Sequence, residues 1–297
     1  MHSAFTPSHL AASVKKFGHQ GCSWNACQRS PGWLERLGLK SERVLGNGLW
    51  YCSAECLEEA LRHELRSPMA TALAPVVPRH RLPIGLLLLS RGVITSEMLQ
   101  KALAAQSSTR EPRKIGECLR ELGYVKEEEI TAALGSQWSC PIFSHLREAD
   151  LECANMVPLI LQERYAMLPV RYVARTQVLY IAFCRAVHYS LLYAVERLLD
   201  LTTRPCLITP EEWQWGLLRS EERPRKDEVS FVTTTSASEA ARIVRNYVCS
   251  SAATEVRARV CGEYLWAHLR APSKRMNLLF RAASLAAPSG DNPAVVA

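Results

Sequence analysis

The chain has 297 residues, of which 48% are hydrophobic and 22% charged, and it carries a net charge of +7. That length supports two or three domains of ordinary globular composition, and the mild basic bias suits an anionic partner such as a nucleotide, an anionic membrane surface or nucleic acid. No apolar run approaches the roughly 18 residues that cross a bilayer, and no charged region followed by an apolar core opens the chain, so the expected compartment is the cytoplasm.

Residues 1–18 show no strong period and predict a loose leader, with Lys15 and Lys16 in solvent. Residues 19–66 hold the first strong signal. The sequence contains 11 cysteines, which in a reducing compartment suggest metal ligands and buried thiols rather than disulfides. Cys22, Cys27, Cys52 and Cys56 form two closely spaced pairs, able to complete a tetrahedral, closed and therefore structural zinc site. A strand is expected to end at Trp50-Tyr51, and Ser53 to begin a helix over 54–66. That helix carries Cys56 in its first turn, where its dipole favours thiolate. The run Tyr51-Cys52-Ser53-Ala54-Glu55-Cys56 resembles the close of small treble-clef-like zinc fingers. His19 and His63 are expected at the surface. Segment 67–80, with Pro68, Pro75 and Pro78, reads as a linker.

Residues 81–137 contain one unit twice. Pro83-Ile84-Gly85 opens the first copy, and Gly92, Leu99, Leu103 and Gln106 follow. Lys114-Ile115-Gly116 opens the second, and Gly123, Ile130, Leu134 and Gln137 follow. The copies lie 31 residues apart, and an internal repeat of that length predicts a repeated supersecondary unit. Each copy reads as helix, turn, helix. Gly92 and Gly123 sit where a helix stops in a left-handed conformation. Thr95 is a candidate N-cap, and Glu127 to Glu129 load the matching N-terminus. Met98, Leu99, Ala102 and Leu103 make one apolar face, and Ile130, Ala133 and Leu134 repeat it. Two such hairpins would bury their faces on one another.

Residues 138–219 read as α+β. A helix is expected near Leu159 to Tyr165, a strand pair over Met167 to Val173 and Gln177 to Phe183, and a helix over His188 to Leu201. Another strand follows at Thr203 to Ile208, and Pro210 opens a further helix.

Over residues 81–219 the chain resembles the N-terminal domain of type II secretion and type IV pilus assembly ATPases. Gly85, Gly92, Gln106, Gly116, Gly123 and Gln137 match the tandem motif of that family. Pro141-Ile142-Phe143, Val157-Pro158, Leu168-Pro169-Val170 and Val178 to Ala182 match the family's exit strand and its next helix and strand pair. In some members the motif binds cyclic di-GMP. The resemblance therefore implies nucleotide contacts at Gly85, Gly92, Gln106, Lys114, Gly116, Gly123 and Gln137. Departures fall where the motif opens with arginine, since Pro83 and Lys114 stand there, and Arg120 and Tyr124 replace aliphatics. Arginine can stack on a base and fork onto phosphate; lysine is a point charge and proline offers neither. Two readings stay open, a decayed site on a kept fold and a retained receptor.

The run Glu221 to Glu228 reads as the solvated core of a linker over 220–228. Residues 229–282 read as a small α+β unit. Ser236 caps a helix to Ser251, with Glu239 as a capping-box partner, and Glu255 to Val260 and Tyr264 to Leu269 form a hairpin. Residues 283–297 are small and proline-containing and predict a disordered tail.

No Gly-x-x-x-x-Gly-Lys-Ser/Thr loop, Gly-x-Ser-x-Gly elbow or His-Glu-x-x-His helix occurs in the sequence. The expected class is a multidomain α+β protein with no catalytic residues. Its expected role is a non-enzymatic regulator or adaptor, docked on a secretion or pilus assembly ATPase or an inner-membrane platform protein. A zinc-finger regulator binding nucleic acid is the alternative, motivated by Arg29, Arg36, Lys40 and Arg43 between the ligand pairs.

Overall fold

The structure is a computed structural model and describes residues 22–28, 43–66, 81–108, 113–143 and 145–282. The expected leader, the linker over 67–80, the tail over 283–297, and His19, Arg29, Arg36 and Lys40 lie outside the described residues.

The first described ribbon pairs β1 (Val44–Gly46) with β2 (Leu49–Tyr51). Asn47 and Gly48, both at positive φ, turn it; two such residues match the twist that a tight hairpin needs. Helix α1 (Ala54–Arg66) follows Ser53, whose carbonyl accepts from the Leu57 amide.

The repeat folds as two helical hairpins, α2 (Ile84–Ser90) with α3 (Ser96–Ser108) and α4 (Ile115–Glu121) with α5 (Glu127–Trp138). Gly92 and Gly123 stand at φ 69° and 72°. At each, the chain closes through the same two bonds. Gly92 and Val93 amides reach the Leu89 and Leu88 carbonyls, and Gly123 and Tyr124 amides reach those of Arg120 and Leu119. This is a helix stop that a left-handed glycine permits. Thr95 Oγ1 accepts from the Met98 amide, and the Glu129 carboxylate accepts from the Lys126 amide. The core of this part pairs equivalent positions: Leu88 with Leu119, Ile94 with Val125, and Ala102 with Ala133 are all buried.

A short 3-10 helix (Glu148–Met156) and α6 (Leu159–Arg164) lead into a three-stranded sheet. Its order is β3 (Met167–Val173), β4 (Val178–Phe183), β5 (Thr202–Leu207), with β3 antiparallel and β5 parallel to β4. Helix α7 (Tyr189–Leu199) makes the crossover that a parallel pair requires, and α8 (Pro210–Glu221) follows Thr209, whose hydroxyl accepts from the Glu212 amide.

The C-terminal part corrects two expectations. The finger ribbon is not separate from it. Strands β6 (Glu228–Thr235), β7 (Glu255–Cys261), β8 (Tyr264–Arg270) and β9 (Arg275–Ala282) form one sheet with the ribbon, in the order β2-β1-β7-β8-β9-β6. The ribbon's three-residue strands have too little surface to be stable alone, and β1 completes its bonding by running parallel to β7. Helix α1 and α9 (Ala237–Ser251) share one core on this sheet, with Leu57, Leu61, Leu65, Val244 and Val248. Ser236 caps α9 by accepting from the Glu239 amide.

Nor is the charge run 221–228 simply solvated. Arg225 and Glu228 pair at 2.8 Å with little exposure. Arg225 also donates to the Val157 carbonyl at 3.2 Å, and Glu228 accepts from the Leu159 amide at 3.0 Å. Backbone carbonyls of Ser220 and Val157 and the Leu159 amide take up part of the pair's remaining hydrogen-bonding capacity, which offsets some of the cost of burying charge, while Arg225 Nη2 is buried without a partner.

Helix α7 lies on the other face of the large sheet, in a core that joins Leu191, Val195 and Leu198 to Trp266 and Leu279. No helix among the described residues is long and apolar enough to cross a membrane.

Candidate functional site

The first candidate is the cysteine cluster. The turn before β1 presents Cys22 and Cys27, tied to the ribbon by the Ser23 amide on the Trp50 carbonyl at 2.8 Å. Cys52 ends the ribbon and Cys56 sits in the first turn of α1. The four sulfurs lie within 4.8 Å of one another. Cys27 and Cys52 are 3.6 Å apart, Cys52 and Cys56 3.5 Å, and Cys56 and Cys27 3.7 Å. A disulfide needs about 2.05 Å. A tetrahedron built on metal–sulfur bonds of about 2.3 Å has edges of about 3.8 Å, which these separations approach. The four cysteines are therefore able to bind a metal. Desolvation pushes the Cys56 thiol up to about 11 and the Cys52 thiol higher, with neighbouring thiols adding to the latter. A cation offsets that cost of forming thiolate. His63 is exposed and meets the edge of Trp24 instead, with ring centroids 6.2 Å apart.

The second candidate is the repeat motif, whose residues the fold divides by task. Gly85 admits Leu99, because a Cβ there would lie 2.8 Å from its Cδ1. Gly116 faces Ile130 in the equivalent place. Gly92 and Gly123 make the turns. The glutamines act reciprocally. Gln106, closing copy one, donates to the Arg113 carbonyl at 2.6 Å. Gln137, closing copy two, donates to the Leu82 carbonyl at 2.7 Å. Arg113 and Leu82 are equivalent positions, each just before a motif opening, so each copy fastens the other.

Loss of either amide removes one such bond at about 1 kcal/mol. Gln106→Ala and Gln137→Ala should each speed exchange of the Leu88 and Leu119 amides by about five-fold. The double variant should show both losses. Unchanged exchange in all three would mean the clamps carry no stability.

Cationic groups around the motif are mostly engaged. Arg81 lies over the Trp138 ring, 3.1 Å from its centroid. Arg91 donates to the Ala132 carbonyl and the Ser136 hydroxyl. Arg113 pairs with Glu121, and Arg120 with Glu127 at 3.1 Å. Lys114 is exposed and makes no ion pair among the described residues. Pro83 precedes α2 and gives its carbonyl to the Leu86 and Leu87 amides. The structure thus brings the seven motif residues into one bundle and commits the two glutamines to backbone carbonyls of the opposite copy.

Sequence reasoning missed the reciprocity of the glutamines, whose only linear signal is the shared 31-residue offset. It also missed a groove of about 390 Å3 across the three-stranded sheet, lined by Pro141, Ile142, Phe143, Arg171, Val173, Tyr180 and Cys206.

Two solved structures are similar to part of this chain. The structure of MshE with cdg shares 23% identity at a TM-score of 0.39, covering 47% of this chain and 99% of that one. The structure of the N-terminal domain of XpsE shares 18% identity at a TM-score of 0.35, covering 46% of this chain and 92% of that one. No protein-family model matches the chain, and no curated protein matches it.

Proposed function

We propose that this chain is a non-enzymatic adaptor built on the tandem-motif module that it resembles in secretion and pilus assembly ATPases. The observation that carries the reading is the reciprocal glutamine clamp. Both closing glutamines are spent on backbone carbonyls, and Arg81, Arg91, Arg113 and Arg120 are spent on partners within the protein. The motif's polar groups are engaged within the protein and brace the module as a platform. What the module offers outward includes Leu82, Leu86 and Leu103, which are 62%, 46% and 45% exposed. Apolar side chains left in solvent on a rigid body suit a protein partner, and an assembly ATPase or its inner-membrane platform protein is the partner class assigned. The cysteine cluster holds a structural zinc ion that fixes the finger. The chain works in the cytoplasm, at the inner membrane when docked.

Sedimentation of the full chain with a purified assembly ATPase tests this reading. A complex is expected, weakened at least ten-fold by Leu86→Glu and Leu103→Glu. Absence of a complex with both the ATPase and the platform protein would overturn it.

A second reading, cyclic di-GMP sensing, draws on Lys114, an exposed cation at the opening of copy two. The nucleic-acid alternative has less support, since α1 carries Glu55, Glu58, Glu59 and Glu64 against Arg62 and Arg66, an acidic excess, and buries its apolar face on the sheet and α9. Such a helix repels phosphate.

A further inference from the structure

The three-stranded sheet has an open half-face with a distinct composition. Strand pairing sets Arg171 of β3 opposite Tyr180 of β4, and Tyr180 beside Arg204 of β5. Alternation along each strand puts these three on the same face as Val173, Val178 and Cys206. Farther along that face, Leu168, Ala182 and Ile208 are covered by Leu217 of α8. The cover stops short of the arginine–tyrosine–arginine row, where Arg171 and Arg204 are exposed and Tyr180 is half-buried.

Neither arginine has a carboxylate or carbonyl partner among the described residues. Arg175, Arg185, Arg242 and Arg275 also lack an acidic partner among the described residues, and what distinguishes Arg171 and Arg204 is that the strand register sets them on either side of one aromatic ring, Tyr180. The groove runs from the Pro141–Phe143 segment to Arg171, Val173 and Tyr180, with Arg204 next to Tyr180 in register, and among the described residues no acid lines it. Its volume of about 390 Å3 falls in the range of small-ligand sites, roughly 300–1,000 Å3. Directly opposed side chains on neighbouring strands stand about 5 Å apart at their Cβ atoms, so both guanidinium groups reach an anion placed over Tyr180.

From this geometry we infer a binding site for a nucleoside phosphate on the β3–β4–β5 face, separate from the tandem motif. The base stacks on Tyr180 and against Phe143, as bases do on aromatic side chains set in a sheet. Arg171 and Arg204 take the phosphate through charge-assisted bonds that lysine could not fork. The apolar floor of Val173 and Cys206 excludes water from the base. A plain anion meets the two arginines but gains nothing from the ring, so the site ranks nucleotide above inorganic phosphate.

Calorimetric titration of the full chain with GMP, AMP and inorganic pyrophosphate tests this. One of the nucleotides should bind at least ten-fold more tightly than pyrophosphate. Arg171→Gln and Arg204→Gln should each weaken it about ten-fold, and Tyr180→Leu should erase the preference over pyrophosphate. The arginines are exposed, so their variants fold. Lys114→Ala should leave the affinity unchanged, which separates this site from the repeat. The inference is overturned if neither nucleotide binds at millimolar concentration, if pyrophosphate binds as well as both, or if both arginine variants bind normally.

Discussion

Replacing Cys52 with alanine should empty the cysteine cluster and release the finger ribbon from the large sheet. The wild-type chain should carry about one zinc ion held by Cys22, Cys27, Cys52 and Cys56, and the variant none, by elemental mass spectrometry. The structural consequence comes from the segments that the cluster joins. Cys52 and Cys56 lie at the β2–α1 corner, and Cys22 and Cys27 in a turn with no regular structure of its own. Zinc binding in small fingers supplies on the order of 10 kcal/mol of folding energy, far above what a ribbon of two three-residue strands supplies. With the metal gone, the bonds from the Leu45 amide to the Thr254 carbonyl and from the Asn47 amide to the Val256 carbonyl should open. Hydrogen exchange of the Leu45 and Asn47 amides should rise at least 100-fold, and a chelator should do the same to the wild type. Helix α1 should loosen less, since Leu57, Leu61 and Leu65 stay packed against α9 and the sheet. A metal-free wild type, or exchange unchanged by Cys52→Ala, would refute the role of the cluster.

Trp266→Ala should be the most destabilising single change outside the cluster. The indole is fully buried and sits where β8 meets the core around α7. Its Nε1 donates to Asn277 Oδ1 at 3.0 Å, the same oxygen that His268 Nδ1 meets at 2.8 Å. Truncation of a tryptophan in a packed core costs about 3–5 kcal/mol, because the cavity adds to the lost transfer energy. For a chain of this size that corresponds to a fall of roughly 10 °C in the unfolding midpoint. Trp266→Phe keeps most of the volume and should lose well under half as much. A fall below about 2 °C for the alanine variant would show that the large sheet and α7 do not share a core.

Legibility in the sequence was local. Gly92 and Gly123 announced two turns because a left-handed stop excludes most side chains. Pro210 and Ser236 marked helix starts through chemistry confined to one turn. The cysteine spacing pointed to a metal cluster, and those four sulfurs do converge. The long-range pairings were not legible. The ribbon gave no sign that β1 would run beside β7, some 200 residues later. Strand β9 was missed because it is buried on both faces, so Met276 to Phe280 shows no alternation, and Asn277 interrupts the apolar run. That asparagine is tolerated because Trp266 and His268 satisfy it. Strand β6 was hidden behind a charge run whose Arg225 and Glu228 turn inward. The arginine–tyrosine–arginine row combines residues from three strands, and only the register assembles it.

One titration separates a tandem motif that is a docking platform from one that is a nucleotide receptor. Cyclic di-GMP is titrated by calorimetry into the full chain carrying Arg171→Gln and Arg204→Gln, so that only the repeat can respond. The engaged glutamines and arginines and Pro83 predict no heat of binding at concentrations up to about 100 μM. Micromolar binding that disappears on adding Lys114→Ala would contradict the account and make the repeat a receptor.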